Sequence, residues 1–169
     1  MKIRKCSGGI TAAKGFRASS CEAGIKYPNR KDMAMIFTDV PCSVAGTFTS
    51  NLVKAAPVLW NMDLVRSGRK AQAVVVNTGI ANAGTGETGM QLCRDTAAHT
   101  AEVLGIPVNS VLLGSTGVIG PNLPLDRMNA GITAMAGTLS DSPEAAVDAS
   151  RAIMTTDTVN KEADRKSVV

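Results

Sequence analysis

The run Ala71-Gln-Ala-Val-Val-Val-Asn77 constrains this chain more than any other stretch. β-branched residues pack well on a pleated surface, and a nearly unbroken apolar run suits a strand buried on both faces. The run ends in Asn77-Thr-Gly-Ile-Ala-Asn-Ala-Gly-Thr-Gly86, whose side chains are too small to pack as an element of their own. That stretch is a loop lying against something else. Sixteen glycines across the chain likewise point to tight turns and close backbone approaches rather than to one long helical bundle.

A length of 169 residues fits one domain, spanning 1–169, and a chain of that size buries roughly 70% of its unfolded surface. Phe, Trp and Tyr make up only 3% of the residues, so the core must come from Ala, Val, Ile, Leu and eight Met. The net charge is +4, and the basic residues are dispersed; the densest stretch is Met1-Lys-Ile-Arg-Lys5, with Lys26, Arg30 and Lys31 behind it. Without aromatics to stack bases, a solvated face is the better reading than a nucleic-acid site. Cys6, Cys21, Cys42 and Cys93 form no C-x-x-C pair and the only histidine is His99, which argues against a structural zinc site and for reduced thiols in the cytoplasm. The sequence shows no signal-peptide run and no segment apolar enough to span a bilayer.

Several further elements are predicted. Met33–Thr38 and Gly46–Ser50 read as strands, with Val40-Pro41 breaking the path between them. From Glu87 to Leu104, apolar residues recur at three- and four-residue steps on one helix face, with Gly105 as C-cap. Ser110–Gly114 is a short strand, and Leu125, Met128, Ile132, Met135 and Leu139 mark a second helix. Ser142-Pro143-Glu144 is a helix start, opening a third helix to about Met154. Helices alternating with short strands give an α/β or α+β domain.

Two loops could carry chemistry. Ser115-Thr116-Gly117 follows an apolar strand, where a hydroxyl and a glycine N–H can face a developing oxyanion. Thr155-Thr156-Asp157-Thr158 is a dense hydroxyl cluster after the third helix. Each alone reads first as an ordinary turn, and neither decides anything by itself. His99 reads as a satisfied or surface histidine.

The order of several blocks decides between these readings. Gly8-Gly-Ile-Thr-Ala-Ala-Lys-Gly-Phe-Arg17, Gly24-Ile-Lys26, Arg30-Lys-Asp-Met-Ala34 and Thr49-Ser-Asn-Leu-Val-Lys-Ala-Ala-Pro-Val58 are followed by Val76-Asn-Thr-Gly79, Ala81-Asn-Ala83, Ser115-Thr-Gly-Val-Ile-Gly120 and Ile153-Met-Thr-Thr-Asp-Thr158 with Lys161-Glu162. In this order the chain resembles the arginine-biosynthesis family called ornithine acetyltransferase, or bifunctional glutamate N-acetyltransferase. The resemblance implies an α+β fold, a layered α/β/β/α-type sandwich of the DmpA/ArgJ-like kind, completed by a separate β chain. It implies a precursor that cuts itself before an internal threonine, which becomes the N-terminal nucleophile of that β chain. The activity implied is acetyl transfer from N-acetylornithine to glutamate through an acetyl-threonine intermediate in an α2β2 assembly. No cofactor or metal is implied, although acetyl-CoA serves as donor in some members.

Carried over by position, Thr116 and Gly117 match the family's oxyanion-hole pair. A substrate-binding threonine matches Thr155 or Thr156, with Thr155 ranked first. Asn77, Asn82 and Arg17 fall in matching motifs without a catalytic role, the two asparagines as loop-organising amides. The family's N-S-G-N-A-N-A-C-T-G loop differs here at Ile80 and Gly84, among other positions. The family pattern also continues past Lys161-Glu162 to a K-G-x-G-M stretch and the cleavage site, so the expectation is an α portion that stops before the nucleophile. Arg165–Val169 resemble the start of a β segment. The competing expectations are an incomplete fragment or non-catalytic binding module, and an N-terminal-threonine amidase or aminopeptidase of the same fold.

Overall fold

The computed structural model describes the backbone of residues 2–168 and the side chains of residues 7–163. The basic stretch at residues 1–5 and the Cys6 thiol lie outside the described side chains. The elements are β1 (Lys2–Cys6), β2 (Phe16–Cys21), β3 (Met33–Cys42), α1 (Ala56–Arg66), β4 (Ala71–Asn77), α2 (Gly86–Leu104), β5 (Val111–Ser115), α3 (Leu125–Ala136), α4 (Pro143–Ala152) and β6 (Asp164–Val168). β2, β3, β4 and β5 form one sheet in that order, antiparallel except for the parallel β4–β5 pair, and β1 and β6 form a separate antiparallel pair. This is an α+β arrangement, not a doubly wound one.

Strict alternation governs the central strand. Ala71, Ala73, Val75 and Asn77 are buried, while Gln72, Val74 and Val76 are half-buried. The buried face meets Met33, Met35 and Phe37 of β3, Val111 and Leu113 of β5, and the apolar stripes of α2 (Cys93, Ala97, Ala101) and α3 (Met128, Ile132, Met135). Four methionines stand among the core residues where aromatics would usually stand, as the composition requires. The other face carries a smaller cluster of Ala18, Ala34, Ala149 and Ala152, where α4 lies over β2 and β3. The expectation that Ala71–Asn77 is buried on both faces is therefore corrected: α4 covers the β2–β3 half, and Val74 and Val76 line an open apolar groove of about 290 Å³.

Both edges of the sheet are closed by specific bonds, as exposed edges invite wrong pairing. At β5, Asn61 of α1 behaves like a peptide unit, donating from Nδ2 to the Leu113 carbonyl at 2.8 Å and accepting from the Leu113 N–H at 2.9 Å. Trp60 Nε1 donates to the Val111 carbonyl at 2.8 Å. At β2, Ala18 and Ser140 exchange both backbone bonds, at 2.8 and 3.0 Å.

Helix ends follow the local rules. Gly105 closes α2 in the left-handed region at φ 67°, and Ser142 Oγ accepts from the Ala145 N–H ahead of Pro143. Two strand expectations are corrected. Gly46–Ser50 is largely exposed irregular chain rather than a strand, and it joins no ladder among the described residues. Val40-Pro41 does not break β3: the strand runs on to Cys42 through a register irregularity, which accommodates a residue without an N–H. Sequence patterning also missed α1, whose first turn holds Pro57, and β2, whose Phe16-Arg-Ala-Ser-Ser-Cys21 carries no clear apolar alternation.

Candidate active site

The site grows out of the parallel β4–β5 ladder. Beyond its last pair, Asn77 with Ser115, the two chains stay in step: the Thr116 N–H donates to the Asn77 carbonyl at 3.0 Å and the Val118 N–H to the Gly79 carbonyl at 3.1 Å. The Ala81 N–H returns a bond to the Val118 carbonyl at 2.9 Å. The ladder thus uses the N–H groups on either side of Gly117, and the Gly117 N–H takes no partner among the described residues. Gly117 has φ +137°, and a Cβ there would fall 2.3 Å from the Gly79 carbonyl carbon. Only glycine permits this approach of the two loops.

The small-residue loop after β4 is packed, as its composition implied. Asn77 Nδ2 donates to the Ile80 carbonyl at 2.8 Å, and Asn82 Nδ2 to the Gly89 carbonyl at 3.0 Å. Asn82 Oδ1 accepts from Thr85 Oγ1, and Ser115 Oγ accepts the Asn82 N–H at 2.8 Å. Both asparagines are buried and satisfied, which makes them organisers of the loop.

A second wall comes from residues 23–32. Asp32, only 4% exposed, takes the Ala23 N–H on Oδ1 at 2.7 Å and the Ile25 N–H on Oδ2 at 2.6 Å. Its carbonyl accepts from the Thr78 N–H at 2.8 Å, and Thr78 Oγ1 also reaches the Ala152 carbonyl at the end of α4, at 3.0 Å. One buried residue therefore folds the loop back and ties it to β4. The loop delivers Lys26, Tyr27 and Arg30 to the cavity, and Arg30 donates to the Met154 carbonyl just before Thr155.

These walls enclose a cavity of about 370 Å³. Thr116, Gly117, Thr155 and Thr156 all line it, so four residues singled out in two distant segments come together. Thr116 and Thr155 are half-buried and Thr156 is exposed. Among the described residues the Thr116 hydroxyl makes no hydrogen bond. A free hydroxyl and a free amide N–H on adjacent residues can serve one oxygen.

Other candidates lie elsewhere. His99 Nε2 bonds Thr133 Oγ1 at 2.9 Å and the Asn129 carbonyl at 3.1 Å, which makes it a link between α2 and α3. Asp157 is paired with Lys161, and Arg17 with Asp39. Burial pushes the Cys21 and Cys93 thiols up to about 11, with Asp32 adding to the effect at Cys21, and neither lines the cavity. Among the described residues no three His, Cys, Asp or Glu side chains cluster to hold a metal ion. Sequence reasoning missed Lys26 and Arg30, which had read as part of a solvated basic face. The available signal was Asp32: a lone acid immediately before an apolar strand start must find donors at once.

Comparison with known proteins places this fold in a class already solved. The structure aligns with the arginine biosynthesis bifunctional protein ArgJ of Bacillus halodurans at a TM-score of 0.93, with 38% identity, covering 99% of this chain and 87% of that one. It aligns with an ornithine acetyltransferase of Mycobacterium tuberculosis, solved with ornithine, at 0.88 and 39% identity, covering 94% and 85%. The chain belongs to the ArgJ family, whose sequence profile matches residues 17–169. Relatives named arginine biosynthesis bifunctional protein ArgJ include those of Symbiobacterium thermophilum, 49% identical over 93% of this chain, and Thermotoga neapolitana, 45% identical over 92%. The matched segment is 39% of the first relative and 38% of the second. No helix among the described residues is long and apolar enough to cross a membrane.

Proposed function

We propose that this chain is the α portion of an acetyltransferase of arginine biosynthesis, moving acetyl from N-acetylornithine to glutamate. The observation that carries this reading is the convergence of Thr116, Gly117, Thr155 and Thr156 on one cavity, with the Gly117 N–H left out of the ladder on which its neighbours are spent. Family membership and the likeness to an ornithine acetyltransferase support it.

The nucleophile in this reading is the N-terminal threonine of a β chain, with its own α-amino group as base. Its Oγ attacks the acetyl carbonyl, and the carbonyl oxygen becomes an oxyanion held by the Thr116 hydroxyl and Gly117 N–H. Collapse breaks the C–N bond, the proton passes to the leaving amine, and ornithine departs. The glutamate amine then attacks the acetyl-threonine ester, and Thr Oγ leaves with a proton returned to it. Neither half-reaction changes oxidation state, so no redox cofactor is needed, and acetyl-CoA is a chemically equivalent donor. Thr155, the more buried of the hydroxyl pair, contacts substrate, with Thr156 at the mouth.

The half-covered sheet face supports a partner. Ile36, Val74 and Val76 line an apolar groove that a second chain would bury, consistent with a β chain completing the layered sandwich in an α2β2 assembly. Free thiols at Cys21, Cys42 and Cys93 suit a cytoplasmic setting.

The test is acetyl transfer by the assembled protein, with labelled N-acetylornithine and glutamate, in wild type and Thr116→Ala. Losing one oxyanion donor lowers kcat about 100- to 1,000-fold with little change in substrate binding. An unchanged kcat would remove Thr116 from the chemistry, and absence of a second polypeptide beginning with Thr in the active material would remove the N-terminal nucleophile.

A further inference from the structure

The cavity has a cation that its chemistry has not yet used. Lys26 leaves the loop where it presses on the segment after β4: a Cβ on Gly79 would lie 3.0 Å from the Lys26 Cβ, so the base of this side chain sits against that segment. The other basic side chain lining the cavity, Arg30, donates to the Met154 carbonyl. Lys26 forms no ion pair among the described residues, and its Nζ rests 4.7 Å from the Tyr27 ring centroid. Although exposed, it lines the same cavity as Thr116 and Gly117.

Among the described residues no carboxylate lines that cavity. What it offers is an ammonium, a guanidinium, hydroxyls and an amide N–H, while the acid of the adjoining recess, Asp32, has its two oxygens on the Ala23 and Ile25 N–H groups. We propose that Lys26 receives a carboxylate of the amino-acid substrate and so selects for it, an inference that rests on the acyl-transfer reading of this cavity. Both proposed substrates carry an α-carboxylate, and glutamate carries a second on its side chain. One ammonium can serve either group, because in this reading the reaction alternates donor and acceptor through one site.

The experiment compares wild type, Lys26→Met and Lys26→Arg in the assembled enzyme. The donor arm sets N-acetylornithine against N-acetyl-1,4-diaminobutane, the same donor without its carboxylate. The acceptor arm sets glutamate against glutamine. A bond to a charged partner is worth roughly 10- to 100-fold. Lys26→Met is therefore expected to raise KM by that factor with kcat nearly kept, and to erase the preference for the carboxylate-bearing compound by the same factor. Lys26→Arg keeps most of it. Collapse in the donor arm assigns Lys26 to the α-carboxylate, and collapse in the acceptor arm alone assigns it to the glutamate side chain; both support the inference. A preference untouched by Lys26→Met in both arms, in an active enzyme, overturns it while leaving the acyl-transfer reading intact. Failure of the wild type to transfer acetyl at all overturns both.

Discussion

Replacing Asp32 by Ala tests how the second wall of the cavity is built. The carboxylate is 4% exposed and accepts two main-chain N–H groups, from Ala23 and from Ile25, itself 4% exposed. Truncation leaves both donors without an acceptor in places water reaches poorly. Each orphaned buried donor costs about 1–3 kcal/mol, so the substitution should cost about 2–6 kcal/mol. At about 2–4 °C per kcal/mol for a chain of this size, the melting temperature falls by roughly 4–24 °C. The Asp32 carbonyl still accepts from Thr78, so β3 and β4 stay joined and the loss concentrates in residues 23–31. Asp32→Asn separates charge from shape: its one oxygen satisfies one N–H while its amide group faces the other, and it should recover less than half of the loss. Thermal melts followed by circular dichroism, with urea titrations for the free energy, measure this. KM should rise with the loss of stability, because Lys26 and Arg30 ride on the same loop. A melt within about 1 °C of wild type, or an Asn variant as stable as Asp, would refute the reasoning.

Two further outcomes follow from particular contacts. Gly117→Ala puts a Cβ 2.3 Å from Gly79 backbone at a φ of +137°; it should cost about 3 kcal/mol or more and abolish turnover, read by melting and by acetyl-transfer rate. The Cys21 and Cys93 thiols, raised from 9.0 to about 11 chiefly by burial, ionise less readily folded than unfolded. Their contribution is whole below pH 9 and is lost as pH rises through 11, so the urea midpoint should fall across that window, and Cys93→Ala should flatten the fall.

Much of this was legible in the sequence because the signals were local. The α2 stripe with its Gly105 cap and the Ser142-Pro143 helix start are written in nearby residues, and the Ala71–Asn77 run carries its β-branched pattern locally although its ladder partners are distant; each lies where pattern or capping placed it. Thr116, Gly117, Thr155 and Thr156 were singled out through their places at element ends and through family resemblance, and the fold brings them into one cavity. What stayed hidden depends on partners far along the chain. Lys26 reaches the cavity only because Asp32, six residues on, collects the loop's N–H groups while its own carbonyl is held by Thr78 of another strand end. The open face of β4 was equally invisible, since a valine run reads the same whether one face or two are covered. α1 is held by Trp60 and Asn61 reaching β5 some fifty residues later, and no local pattern announces that.

The two walls of the cavity are made to different tolerances. Thr116 and Gly117 are an extension of the sheet itself, and moving them means unzipping two strands. The 23–31 segment is a loop held by side chains, by the Asp32 carboxylate, by Arg30 on the Met154 carbonyl, by Lys31 on Asp148 and by the buried Ile25, and its exposed positions can be recoloured in charge without touching a strand. On the proposed acyl-transfer reading, a protein so divided can change which amino acid it accepts while keeping how it reacts, and variation in substrate choice should accumulate on the loop side of the cavity.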